Sequence, residues 1–106
     1  MLDGSAHDAN IAGMRRESFD DGKVRIIDTA FRGDVCVTSK QATEYMRLMS
    51  FSSNRLDVLR RLAPRLVNDG QAVSIFGVLD FESEKEDARR LLTSTSTLPA
   101  CRLPWR

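Results

Sequence analysis

The chain has 106 residues, 42% of them apolar, which leaves room for one modest hydrophobic core and no second domain. Sixteen basic residues against fifteen acidic ones give a formal charge of +1, so the broad positive field that gathers phosphate backbones is missing and nucleic acid is not favoured as a partner. No stretch approaches the roughly 20 consecutive apolar residues needed to span a bilayer.

Residues 1–16 never place more than two apolar residues together, so they hold no hydrophobic signal region. They are expected to form a flexible N-terminal segment in which the lone histidine, His7, is solvated and has no catalytic partner. Helical periodicity begins after Phe19. Val24, Ile27, Ala30 and Phe31 share one face, Asp20 suits a cap, and Gly33 supplies the break, which predicts a helix over about 20–32. Cys36 lies in the following linker, either as a small packed residue or as a thiol activated by the next helix N-terminus. Thr38 and Gln41 have capping-box spacing, and Ala42, Tyr45, Met46 and Met49 continue as a helix over about 39–49.

Ser52 as N-cap would make Phe51 the residue before the cap and Leu56 the fourth helical residue, the pair that closes a hydrophobic staple. Asp20 with Phe19 and Val24 fits the same template. On this reading the phenylalanines are core, and Phe51→Ala should cost about 3–5 kcal/mol. Leu56, Leu59, Leu62, Ala63 and Leu66 form the stripe of a helix over about 53–66, which Pro64 should kink or end. Two further helices are expected over about 70–79 and 83–92, the last with only Ala88, Leu91 and Leu92 to bury. After Leu92 the composition turns to Thr and Ser, then to Pro99 and Pro104. Residues 93–106 therefore read as a disordered tail, an alternative or frame-altered C-terminus, unless Trp105 docks on the helices. Cys36 and Cys101 lack metal-ligand spacing, and one possible pair is far from the cysteine density of small secreted scaffolds. A reducing, cytoplasmic compartment is the expectation.

The chain also resembles itself. QATEYMRLMSF, from Gln41 to Phe51, aligns without gaps on QAVSIFGVLDF, from Gln71 to Phe81. Ser18-Phe19-Asp20-Asp21-Gly22-Lys23, Ser50-Phe51-Ser52-Ser53-Asn54-Arg55 and Asp80-Phe81-Glu82-Ser83-Glu84-Lys85 stack column by column. The expected fold is therefore all-α: about five short helices built from a degenerate two-helix unit of about 30 residues, packed as a small bundle or a short solenoid. The domain spans residues 17–92, with the third copy as a polar cap.

The recurring S-F-x-S-x-[KR] followed by an apolar helix resembles a helical family of unknown function found in bacterial and some animal proteins. Members repeat an S-F-D-S-x-K-L type motif with a Gln-rich helix start between copies. Gly22 and Glu86 depart from that pattern. The resemblance implies a helical domain and brings no activity, so it supplies no functional residue.

Chemistry-bearing constellations are sparse. Asp20-Asp21 lacks the alternating ligands and closing glutamate of a calcium loop, and capping accounts for both carboxylates. No cofactor, metal site or enzymatic activity is expected. The repeated column of Phe19, Phe51 and Phe81 with Lys23, Arg55 and Lys85 is read as structural, its cations compensated by neighbours such as Asp20 or Glu82. Arg47, Arg60, Arg61 and Arg65 form the candidate interaction surface. The function these features favour is a non-catalytic protein–protein interaction module, with weak binding of nucleic acid or anionic lipid through the arginines as the alternative.

Overall fold

The computed structural model describes residues 2–67 and 69–102. Among these, six α-helices follow one another: α1 (Gly4–Arg15), α2 (Asp20–Ala30), α3 (Ser39–Arg47), α4 (Ser52–Leu62), α5 (Val73–Phe76) and α6 (Glu82–Ser94). The all-α expectation holds, with one isolated parallel bridge between Val37 and Leu66.

Several boundaries have the local causes read from the sequence. The Thr38 hydroxyl accepts from the Gln41 N–H and the Gln41 side chain accepts from the Thr38 N–H, a complete capping box. Gly33 adopts a positive φ of 58° behind α2, a conformation that suits a residue without Cβ. Pro64 lacks the N–H that would continue α4, so the helix ends at Leu62 and tightens into a 3₁₀ turn over Ala63–Arg65. The predicted helix at 70–79 shrinks to one turn. Gly70 and Gly77 flank it, and i→i+3 bonds from Ser74, Ile75, Gly77, Val78 and Leu79 replace the α-helical ladder.

The N-terminal segment expected to be flexible is instead a helix. The Asp3 carboxylate caps α1 by accepting from the Ala6 N–H, and α1 lies against α2 with Met14 fully buried. Its legible signal is the helical spacing of His7, Ile11 and Met14. The expected tail is also corrected for most of its length. Helix α6 runs on to Ser94, the Leu98 N–H donates to the Pro64 carbonyl, and Cys101 forms a disulfide with Cys36 across 65 residues of sequence. The cysteines are thus paired with each other, and a reducing compartment is no longer the natural expectation, since such bonds persist in oxidising surroundings. Trp105 lies outside the described residues.

Helix α4 is the centre, lying against α2, α3 and α6, while α3 also packs on α5. Val58, Leu59 and Leu62 of α4 meet Ala42, Tyr45 and Met46 of α3 in one core that takes in Ile27, Ile75 and Ala88. The linker after α2 is tied three ways: the Leu2 N–H donates to Cys36 O, Val37 and Arg65–Val67 exchange backbone bonds, and the disulfide joins the C-terminal strap.

Candidate interaction edge

Helices α2, α4 and α6 each start on a phenylalanine. Phe19, Phe51 and Phe81 are the N-cap residues, with extended backbone, and none receives a side-chain cap. The staple expected here needs the residue one earlier. With Phe51 as N-cap, Arg55 becomes N4 and Leu56 falls at N5, so the staple pair would be Ser50 and Arg55, both polar. Leu56 still turns into the core, whereas the rings do not: Phe19 is 78% exposed, Phe51 66% and Phe81 61%. The core assignment of the three phenylalanines is overturned, which removes the ground for expecting a large cost of Phe51→Ala.

Instead, the first residue of α2 and that of α4 each bond the residues that lead into the next of the three helices. The Asp20 carboxylate, first residue of α2, accepts from the backbone N–H groups of Ser50 at 3.0 Å and Phe51 at 3.4 Å and from the Asn54 amide at 2.7 Å. Ser52, first residue of α4, accepts from the Asp80 N–H at 3.2 Å and donates to the Glu84 carboxylate. At the other end of the pair, Arg61 of α4 reaches Asp28 of α2 at 2.8 Å. Helices α2 and α4 therefore run parallel with their starts level, the start of α6 lies beside that of α4, and Phe19, Phe51 and Phe81 stand in order along one edge.

The recurring cation follows the same rule. Lys23 donates to the Leu48 carbonyl at 2.7 Å, at the end of α3, and lies 3.7 Å from Asp20. Arg55 donates to the Met49 and Val78 carbonyls at 3.3 and 2.7 Å. Each satisfies orphan carbonyls behind a helix C-terminus. Lys85, the corresponding residue of α6, pairs with Glu82 at 3.3 Å and reaches no helix C-terminus among the described residues. Burial alone would raise the Asp20 carboxyl, but the Ser50 N–H, the Asn54 amide, the Phe51 N–H and the Lys23 charge together hold it below the usual carboxylate range.

Three of the four candidate arginines hold partners within the domain. Arg60 pairs with Asp57, Arg61 with Asp28, and Arg65 donates to the Gly33 and Val35 carbonyls at 2.8 and 3.0 Å. Arg47 lines a groove between α3 and α5 with Lys40, Thr43 and Glu44.

Sequence reasoning missed one polar cluster altogether. His7, expected to be solvated, is buried, with Nδ1 2.9 Å from the Tyr45 hydroxyl and Nε2 3.1 Å from Glu44. Nε2 is placed to donate to the Glu44 carboxylate, Nδ1 pairs with the Tyr45 hydroxyl, and the Tyr45 oxygen accepts from the Asn10 amide at 3.1 Å. Burial, with the Glu44 and Asp8 charges adding and the Asn10 amide opposing, pushes the Tyr45 phenol up to about 12. Every member has a partner, so the cluster joins α1 to α3. Among the described residues no group of three or more His, Cys, Asp or Glu is placed to hold a metal, and no helix is long and apolar enough to cross a membrane.

These features define a small all-helical domain with an aromatic edge. A family model described as a domain of unknown function, DUF4476, matches residues 7–92, and the chain belongs to that family. The match starts inside α1, at His7, and ends inside α6. No curated protein and no solved structure matches the chain.

Proposed function

We propose that the domain is a non-catalytic protein-interaction module, built as a short stack of helical units that presents Phe19, Phe51 and Phe81 to a partner. The observation that carries this reading is the exposure of all three rings at corresponding helix starts. A phenylalanine exposed by three-fifths or more contributes little to the fold it stands on, yet buried aromatic anchors dominate interface energetics. Scattered apolar residues on a surface are ordinary, whereas three large exposed rings at corresponding helix starts make a repeated set of apolar anchor points. The buried polar groups support the reading from the other side, since the His7–Tyr45 cluster and the capping carboxylates are saturated by the protein itself.

The alternative, an anion-binding arginine face, is less well supported because Arg60, Arg61 and Arg65 already hold intramolecular acceptors. Affinity capture from source-cell lysate, compared quantitatively between the wild type and a Phe19→Ser/Phe51→Ser/Phe81→Ser variant, tests the proposal. Partners present with the wild type and depleted with the variant are expected. Equal capture by both forms refutes it.

A further inference from the structure

Resting on that reading, the geometry points to the class of partner: we infer that the phenylalanine edge receives a basic amphipathic helix laid across the starts of α2, α4 and α6. Two independent features argue for it. The first is spacing. Packed helices stand about 8–10 Å apart, so consecutive phenylalanines along this edge are separated by about that distance. A helix rises about 10.5 Å in seven residues, so apolar side chains at i, i+7 and i+14 of one crossing helix meet the three rings in turn.

The second feature is charge. Within three residues of Phe19, Phe51 or Phe81 the sequence holds six acidic residues and a single basic one, Arg16. Glu17, Asp21, Asp80 and Glu82 among these acids are exposed. Of the cations that recur four residues after each phenylalanine, Lys23 and Arg55 are drawn back onto the Leu48, Met49 and Val78 carbonyls, Lys23 also lies 3.7 Å from Asp20, and Lys85 pairs with Glu82; Glu17, Asp21 and Asp80 hold no ion pair among the described residues. The row of rings is therefore uncharged around Phe51 and acidic at both ends. Phosphate-bearing partners are repelled by such a rim, and a second copy of the same edge meets like charge. Lysine and arginine between apolar anchors complement it, with steering at low salt as the kinetic signature.

A library of random 18-residue peptides displayed on phage, selected on the full chain and deselected on the triple Phe→Ser variant, tests the inference. The expected enriched peptides are net basic, with apolar residues recurring every seven positions. A synthetic representative should gain helical circular dichroism on binding. Its Kd should rise at least tenfold with Phe51→Ser and at least tenfold with Asp21→Lys/Glu82→Lys, both surface changes whose folding is checked by near-UV dichroism. Should the triple variant fail to fold, Phe51→Ser alone serves for deselection. Enriched peptides that depend on the phenylalanines but are acidic or bind in extended form overturn the helix partner and leave the interaction reading standing. No enrichment, or binding that survives both sets of substitutions, overturns the inference.

Discussion

Asp20→Ala tests the link between neighbouring helix starts most directly. The carboxylate is buried and receives three donors, the Ser50 and Phe51 N–H groups and the Asn54 amide. Hydrogen bonds to a charged acceptor contribute about 1.5–3 kcal/mol each, but Ser50 and Phe51 are exposed enough for water to recover part of that. A net loss of about 3 kcal/mol follows, or roughly 10–20 °C in Tm for a domain of this size. Glu82 occupies the corresponding position of α6, is exposed, and accepts from no helix start among the described residues, so Glu82→Ala should stay within about 0.5 kcal/mol. Urea denaturation with matched m-values reads the difference. The pH dependence carries a sign as well: a carboxyl held below its unfolded value stabilises the fold above that value, near 3.8, and the contribution disappears as pH falls through the lower folded value. Asp20→Asn should flatten that acid limb. Equal effects of Asp20→Ala and Glu82→Ala would refute the account of mutual capping.

The remaining expectations are smaller in scope. Phe51→Ala, with the ring two-thirds exposed, should change the denaturation midpoint by less than about 1 kcal/mol equivalent, and a loss near 3 would restore the staple reading. Reducing the Cys36–Cys101 bond, which closes 65 residues, should lower stability by about 4 kcal/mol as an upper bound from loop-closure entropy; an unchanged melt in reductant would contradict this. Tyr45→Phe leaves His7 Nδ1 and the Asn10 amide without their buried partner and should cost about 1–3 kcal/mol in a chemical melt, against no change if water replaces the hydroxyl freely. Deleting residues 2–16 removes Met14 from the core and the His7 cluster, so cooperativity of the thermal transition should fall; an intact transition would show that α1 is dispensable.

Much of the helical frame is legible in the sequence because its causes are local. The Thr38–Gln41 capping box, the stop at Pro64 and the buried stripe of Leu56, Leu59 and Leu62 all follow from residues within a few turns of one another. The candidate edge is only half legible. The alignment of Phe19, Phe51 and Phe81 is a sequence fact, but whether each ring faces core or solvent depends on a one-residue choice of helix start. That choice is made by Asp20 and Ser52 capping the next helix from about 30 residues away, which no local pattern encodes.

The sequence by itself determined that the chain is helical, where most helices begin and end, and that one position recurs three times with an aromatic and a cation. Only the tertiary structure decided what those recurring residues do. Packing against α2 makes α1 a structural element, the approach of two linkers brings Cys36 to Cys101, and the helix C-termini within reach of Lys23 and Arg55 divide these two from Lys85, which pairs with Glu82. The physical reason is common to all three: each outcome is set by a partner distant in sequence, and the free energy of such a contact exists only once the intervening chain has folded.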